Sequence, residues 1–340
     1  MSATIRDVAH RAGVSISTVS RVLNDTARVS HTKRKRVLEA AEALGYAPNP
    51  AARTLLGKQT SSLGVLLPFV SGEFFSELLH SLDTAAQEAG YFLLISTSHR
   101  LRDEFRAARM MLEKRVDGLI VMAPELRPRE AQVLASASEP IVFINTDAEG
   151  LPFDTVNFDN YGGSYALTQH LLDLGHRDIG IIRGPSGAKD ADQRLEGYRA
   201  ALAEVGVTPR SDWIVTGEYT LEAGYAVARP LFATADRPTA LLCANDYCAA
   251  GAIHAAHEAG LRVPEHLSVV GFDGLPSTLY TQPPLTTARV PIDEVGKIAV
   301  ALLLDRIIDG PVGHDPVRRV VPVEVLLRAS TAPPSKQLER

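Results

Sequence analysis

The sequence predicts a small all-α head joined by a short linker to a large α/β body of two lobes, each built on a mainly parallel sheet. Three observations carry that reading. The first 45 residues hold three short stretches with apolar residues at helical spacing. From residue 62, short apolar runs alternate with amphipathic stretches of helix length. That alternation comes as two successive series, which argues for two lobes rather than one. A chain of 340 residues also exceeds what one hydrophobic core organises. With 45% hydrophobic and 22% charged residues, the composition is that of ordinary globular protein and argues against long disorder.

In the head, Thr4 to Asp7 fits a capping box, with the Thr4 hydroxyl accepting from the Asp7 amide and the carboxylate reaching back to the helix start. Ile5, Val8, Ala9 and Ala12 follow at helical spacing, and Gly13 stands where a sharp turn needs positive φ. A second helix is expected over 17–23, turning Val14, Val19, Val22 and Leu23 inward. A third opens at Ser30 or Thr32, buries Val37, Leu38, Ala41 and Leu44, and stops at Gly45. Pro48 and Pro50 break continuous helix after Tyr46, yet Asn49 can cap a short helix that runs from Pro50 past Ala52 and Leu55. The expected boundaries are a head at 1–46, a linker with hinge helix at 47–61, the two-lobed body at 62–330 and a tail at 331–340.

For the first lobe, buried strands are expected at 64–67, 91–96, 118–122 and 141–145, with helices near 74–89, 102–115 and 128–137. The second series places strands at 179–183, 213–216, 240–244 and 267–272 between helices near 160–174, 192–205, 221–234 and 247–260. A helix at 292–309 and a strand near 319–327 return to complete the sheets. Doubly wound lobes of this kind bind ligands beyond the carboxyl ends of their strands, so a cleft between the lobes is the expected site.

Charge is divided unevenly along the chain. Residues 1–60 carry ten Lys/Arg against four acids, a net +6, which leaves -11 on the rest of a chain whose total is -5. A basic head on an acidic body draws a polyanion to one end. The N-terminus lacks an apolar core of signal type, and no run approaches the roughly 18 apolar residues that a membrane span demands, so a cytoplasmic protein without membrane contact is expected. Cys243 and Cys248 read as buried small hydrophobes rather than a disulfide. Gly-x-Ser-x-Gly, Walker and Gly-x-Gly-x-x-Gly sequences are absent. His254 and His257 share a helical face without third and fourth ligands, and the adjacent Asp293 and Glu294 point to different sides of a helix. Neither catalytic residues, a metal site nor a cofactor are therefore expected.

The turn Ala12-Gly13-Val14-Ser15 joins two helices, the second opening with small polar residues and carrying an arginine. That pattern describes a helix-turn-helix unit; the plainer alternative is a helical subdomain that serves packing or oligomerisation. Ser15 and Thr18 can donate to phosphate at a helix start. Ile16, Ser17 and Arg21 would project toward base edges, Arg21 suited to guanine and Ile16 to a thymine methyl.

The run TIRDVAHRAGVSISTVSRVLN, from Thr4 to Asn24, closely resembles the head of the lactose/galactose-repressor family, and Leu44-Gly45-Tyr46-Ala47-Pro48-Asn49 with Ala52 and Leu55 is similar to that family's hinge. The resemblance implies base recognition by Ile16, Ser17 and Arg21, and phosphate contacts by Ser15, Thr18, Ser20 and Asn24. It implies too that the hinge orders on DNA and that Leu55 wedges into the minor groove. Thr4, Asn49 and Ala52 complete the expected DNA-facing set. The expected partner is a near-palindromic operator held by a homodimer, and the absence of a C-terminal leucine heptad favours a dimer over a tetramer.

The body resembles the periplasmic sugar-binding fold used by this family's cores. It does so through Leu174-Gly175-His176-Arg177, Arg194-Leu195-Glu196-Gly197-Tyr198, Ala244-Asn245-Asp246, Val269 to Asp273 and Pro283 to Thr287. This implies effector contacts by Arg194, Asn245 and Asp273, with Asn145 bearing on selectivity. Asp246 lies at the same strand end as Asn245, and Phe74, Phe75 and Tyr219 can offer apolar faces. The expected function is a sequence-specific transcriptional regulator controlled by a small carbohydrate. A nucleobase-responsive repressor of the same architecture is the alternative, and a sugar-processing enzyme with a DNA-binding head is the remote one.

Overall fold

The computed structural model describes residues 3–23, 29–46, 59–68, 72–97, 101–113, 115–123, 128–146, 150–234, 236–310 and 315–335, for 101–105 and 128–130 as backbone only. Two units emerge, Met1–Thr60 and Ser61–Arg340.

The head contains α1 (Ile5–Ala12), α2 (Ile16–Leu23) and α3 (His31–Ala43). At the start of α1 the amide and hydroxyl of Thr4 both donate to the Asp7 carboxylate, at 2.8 and 2.7 Å, while the Asp7 amide donates to the Thr4 carbonyl at 3.0 Å. Both contacts of the expected capping box are present, and the Thr4 hydroxyl also donates to the carboxylate, the strong acceptor within reach. Gly13 ends α1 at φ 59°, and the Arg36 guanidinium donates to the carbonyls of Ala12 and Gly13. Helix α2 begins one residue earlier than expected, where Ser15 Oγ accepts the Thr18 amide at 3.2 Å. Val8, Ala9, Ala12, Val19, Val22, Val37, Ala40 and Ala41 form the core of the head. Leu38, expected inside, is 47% exposed. The inner stripe of α3 runs through Val37, Ala40, Ala41 and Leu44, and Leu38 falls about 100° off it.

The body begins with β1 (Ser62–Leu67), α4 (Glu73–Glu88), β2 (Phe92–Thr97), α5 (Leu101–Leu112), β3 (Gly118–Val121), α6 (Pro128–Leu134), β4 (Ile141–Ile144) and β5 (Asp154–Phe158). The second lobe follows as α7 (Asn160–Asp173), β6 (Ile179–Arg183), α8 (Lys189–Glu204), β7 (Ile214–Thr216), α9 (Leu221–Phe232), β8 (Ala240–Cys243), α10 (Asp246–Glu258), β9 (Ser268–Asp273) and β10 (Thr286–Arg289). Then α11 (Ile292–Asp309) and β11 (Arg318–Val321) return to the first lobe, and β12 (Glu324–Leu326) to the second. One sheet has the order β11-β5-β4-β3-β1-β2 and is parallel throughout. The other has the order β12-β10-β9-β8-β6-β7 and is parallel except for β12 against β10.

The single strand expected near 319–327 is therefore two strands in different sheets. Strand β2, expected to be buried, is an edge strand with Phe92 72%, Leu94 41% and Ile95 46% exposed. An apolar run does not distinguish burial by the chain's own core from a face left for another chain. At the end of the body, Ser330 pairs its backbone with Val269 and accepts the Thr286 amide on its hydroxyl at 2.8 Å. The Ala332 carbonyl faces His176 Nε2 at 2.9 Å, so the chain is pinned into the second lobe to at least that residue.

The chain crosses between lobes three times, at 158–160, 289–292 and 321–324. These crossings lie side by side, since Val321 pairs with Phe158, the Asp159 amide donates to the Val321 carbonyl at 3.0 Å, and Arg289 pairs with Glu324. Helices α9 and α10 approach so closely that a Cβ on Gly251 would stand 2.1 Å from the Leu221 carbonyl oxygen. Both cysteines are buried and free, and His254 lies on the exposed side of α10 beside Glu258. Among the described residues no helix is long and apolar enough to cross a membrane.

Candidate functional site

In the head, Ser15, Ser17 and Arg21 are exposed along the start and outer side of α2, with Thr18 and Ser20 half-buried beside them. Ser15 Oγ lies 2.8 Å from both Ser17 Oγ and Thr18 Oγ1, which gathers three hydroxyls at the positive end of a helix dipole. Ile16 is 45% exposed although its neighbours Val19 and Val22 supply the core. A water-facing isoleucine among donors suits contact with another molecule better than it suits packing. Thr4 sits apart in role, its hydroxyl committed to Asp7. Asn24, Asn49, Ala52 and Leu55 lie outside the described residues.

In the body, backbone strain marks the cleft. Among the described residues the non-glycine positions with positive φ are Ser61 at 53°, Asn145 at 47°, Tyr219 at 56° and Asp273 at 110°. Such conformations cost roughly 1–3 kcal/mol each and concentrate where a side chain must be aimed. Asn145 follows β4, Tyr219 follows β7 and Asp273 ends β9, so three of the four stand at carboxyl ends of strands.

Arg194, on α8 and only 4% exposed, is the centre of this arrangement. Its Nε donates to Asn160 Oδ1 at 3.0 Å and its Nη1 to the Ala244 carbonyl. The guanidinium lies 3.9 Å from the Phe272 ring centroid and 5.7 Å from that of Tyr219. Its Nη2 stands 4.0 Å from carboxylate oxygens of both Asp190 and Asp273. Burial pushes the Asp273 carboxyl well above the usual carboxylate range; Arg194 opposes that rise, and Asp246 and Asp190 add to it. The balance biases Asp273 toward its protonated form, a hydrogen-bond donor. Burial likewise raises Tyr219, whose hydroxyl is enclosed without a well-formed hydrogen bond.

The cleft is clasped across its width. Asn145 of the first lobe donates to Asp190 of the second at 3.3 Å, and Asn160 Nδ2 donates to Asn145 Oδ1 at 2.9 Å and to Gln193 Oε1 at 3.3 Å. Nearer the start of α4, the Glu73 amide donates to the Tyr247 hydroxyl and the Ser277 amide donates to the Glu73 carboxylate, both at 2.9 Å.

Asn145, Arg194, Tyr219 and Asp273 thus come together, as expected from sequence. Asn245 and Asp246 follow β8 and also make bonds within the second lobe. Asn245 Oδ1 caps α10 by accepting the Cys248 amide at 2.9 Å, and its Nδ2 holds the Tyr219 carbonyl at 3.0 Å. Asp246 accepts the Thr287 hydroxyl at 2.6 Å and the Leu275 amide at 2.8 Å, tying β10 to the loop after β9. These bonds also brace the framework of the cleft. Phe74 and Phe75 pack against the core, Phe74 meeting Phe158 at 6.2 Å between centroids. Asp190, Asn160 and Gln193 escaped sequence reasoning; Asp190, one helical turn before Arg194, was the available signal.

Comparison with known proteins bears on both units. Residues 4–49 match the description "Bacterial regulatory proteins, lacI family", and residues 168–331 match a periplasmic binding protein-like domain. The HTH-type transcriptional repressor PurR of Photobacterium profundum is 38% identical over 309 residues, covering 90% of this chain and 92% of that one. The PurR repressor of Proteus mirabilis is 38% identical over 310 residues, covering 90% and 91%. This chain belongs to the lacI family. Among solved structures similar to this lacI-family regulator, the lac repressor dimer bound to operator and the anti-inducer ONPF superposes with TM-score 0.88 at 30% identity, covering 98% and 100%. A complex of the transcriptional regulator CelR with cellobiose has TM-score 0.74 at 29% identity, covering 96% and 99%. A lacI-family regulator of Enterococcus faecium with bound ribose has TM-score 0.70 at 28% identity, covering 80% and 99%. The lacI-family membership accounts for the pairing of a basic helical head with a two-lobed α/β body in one chain.

Proposed function

We propose that this chain is a cytoplasmic transcriptional repressor that grips a near-palindromic operator as a homodimer and answers to a purine-type nucleobase in the interlobe cleft. The observation that carries the reading is kinship: the PurR repressors are 37–38% identical over 90% of the chain. The sugar-bound neighbours are 28–29% identical. The nucleobase alternative therefore replaces the carbohydrate expected from sequence. The cleft's chemistry is compatible with it, since a guanidinium, two carboxyl groups and the Phe272 and Tyr219 rings suit the polar edge and flat face of a heterocycle.

The division of labour follows the expected boundaries. Residues 1–46 read DNA through Ser15, Ile16, Ser17, Thr18, Ser20 and Arg21; residues 47–61 form the hinge with Asn49, Ala52 and Leu55; residues 62–330 sense the effector and dimerise. The exposed edge formed by Phe92, Leu94 and Ile95 supports the homodimer, because an apolar sheet edge left to water invites pairing with another chain. Effector binding would shift the relative setting of the lobes and so the ordering of the hinges on DNA, which requires different affinities for the two settings, typically about 1–3 kcal/mol.

Thermal-shift and calorimetric titration of the full chain with guanine, hypoxanthine, ribose and cellobiose tests the effector. Saturable binding of a purine with no response to the sugars is expected; the converse restores the carbohydrate reading. Gel-shift titration on operator DNA with and without the bound purine then gives the sign of control. No chemical step is part of this function, so ligand recovered from the protein should be unchanged, and turnover of it would overturn the regulator reading.

A further inference from the structure

We propose that Asp190 is a specificity-determining residue of the cleft, selecting a purine whose edge presents paired N–H donors, a 2-amino-6-oxopurine, over the 6-oxopurine that lacks the amino group. This rests on the nucleobase reading above and concerns which nucleobase is preferred.

Donors and acceptors are out of balance around Asp190. Two carboxyl groups, those of Asp190 and Asp273, each stand 4.0 Å from the same Arg194 nitrogen, too far for a hydrogen bond. Arg194 commits its Nε–H to Asn160 and one Nη1–H to the Ala244 carbonyl, which leaves the N–H groups of Nη2 free to meet a ligand. Asp190 is 6% exposed, so bulk water does not solvate it freely. Among the described residues its Oδ1 accepts the Ala191 amide of its own helix at 2.9 Å, while its Oδ2 receives the long 3.3 Å bond from Asn145, with the Tyr219 hydroxyl interacting beside it. A carboxylate has about four acceptor positions, which leaves about half of them open. The Tyr219 hydroxyl, a neighbour of the same carboxylate, is buried without a well-formed hydrogen bond. Buried polar groups of this kind are completed by a ligand or by water.

What completes them must bring donors. The N1–H and 2-amino N–H of a 2-amino-6-oxopurine point the same way along one edge, which matches the two oxygens of a carboxylate. Its 6-oxo group is an acceptor for a hydroxyl or guanidinium donor, the chemistry of Tyr219 and Arg194. Without the 2-amino group a 6-oxopurine keeps one of the two donors and leaves one buried oxygen unmatched. Loss of a hydrogen bond to a charged group lowers affinity by about 10- to 100-fold.

Calorimetric titration of the full-length protein with guanine and with hypoxanthine is the test, repeated on Asp190→Ala and Asp190→Asn. Wild type should prefer guanine by about tenfold or more, and both variants should bring the two affinities to within about threefold. Asp190→Asn keeps the shape and one acceptor, so it serves if Asp190→Ala fails to fold. Equal affinities in wild type, or a preference that survives both substitutions, overturns the assignment of Asp190 while leaving the nucleobase reading intact. Binding of neither base, with a sugar bound instead, overturns the nucleobase reading itself.

Discussion

Replacing Arg194 with methionine removes the one guanidinium around which the cleft is organised while retaining an unbranched apolar stem over Phe272. The substitution strands two acceptors, Asn160 Oδ1 and the Ala244 carbonyl, and takes the positive charge from beside Asp190 and Asp273. Each stranded acceptor costs about 1–3 kcal/mol, and removing one partner of a buried ion pair costs about 3–5 kcal/mol. These terms overlap, since an acid that loses its counter-charge can take up a proton instead. A net loss of about 3–5 kcal/mol is expected, or roughly 10 °C in melting temperature for a unit of this size. The deficit should also depend on pH with a definite sign. Burial raises Asp273 and Arg194 holds it down, so the variant raises it further. A group raised in the folded state binds more protons folded than unfolded between the two pKa values, so stability falls as pH rises through that window. Thermal melts of both proteins at pH 5 and pH 8 read this directly: the gap between them should be larger at pH 8. A loss below about 2 °C, or a gap that widens on acidification, would refute the placing of Arg194 as the neutralising centre.

Three further outcomes are expected. Arg21→Ala should weaken operator binding by about 1–3 kcal/mol in fluorescence anisotropy at fixed salt, and an equal loss on random DNA would count against base contact. Gly251→Ala should lower the melting temperature by several degrees, at a cost of about 1–3 kcal/mol, because its new methyl group meets the Leu221 carbonyl oxygen at 2.1 Å; an unchanged melt would show that α9 and α10 separate freely. Burial holds His176 below its ordinary pKa, so the unfolded chain takes up the proton first and stability is lost as pH falls past the ordinary histidine range. His176→Gln should flatten that acid-side decline of the melting temperature, and a decline as steep as in wild type would remove His176 from its cause.

Where periodicity alone determines structure, sequence and structure agree closely: α11 spans the expected residues, and β6 begins and ends where its apolar run does. Strands β5 and β10, with sequences DTVNF and TTAR, were not anticipated because polar side chains break the apolar signal, and their pairing comes from neighbours far along the chain. Strand β2 shows the converse failure, since Leu93 packs against the core while Phe92, Leu94 and Ile95 stay exposed. The cleft divides similarly. Asp273 and Arg194 stand at conspicuous places next to apolar strand and helix signals, whereas Asp190 and Asn160 gain their meaning only when α7, α8 and the end of β4 are brought together. Asp246 looked equivalent to Asn245 and Asp273 by position; the burial of its carboxylate under Thr287 and Leu275 is a fact of three dimensions alone.

The three adjacent crossings between lobes carry a consequence for how this protein can be taken apart. Since α11 and β11 return to the first lobe before the second is complete, and β12 then goes back to finish it, neither lobe corresponds to one continuous piece of chain. Any single cut within 62–326 therefore leaves both fragments carrying incomplete sheets. Among the described residues no strand pairing spans the boundary near residue 60. Chimeras that exchange the head should fold, whereas chimeras that exchange one lobe at a single junction should not. In a lineage shuffled by recombination, the DNA address can be traded in one event, but the two walls of the effector cleft must be inherited together.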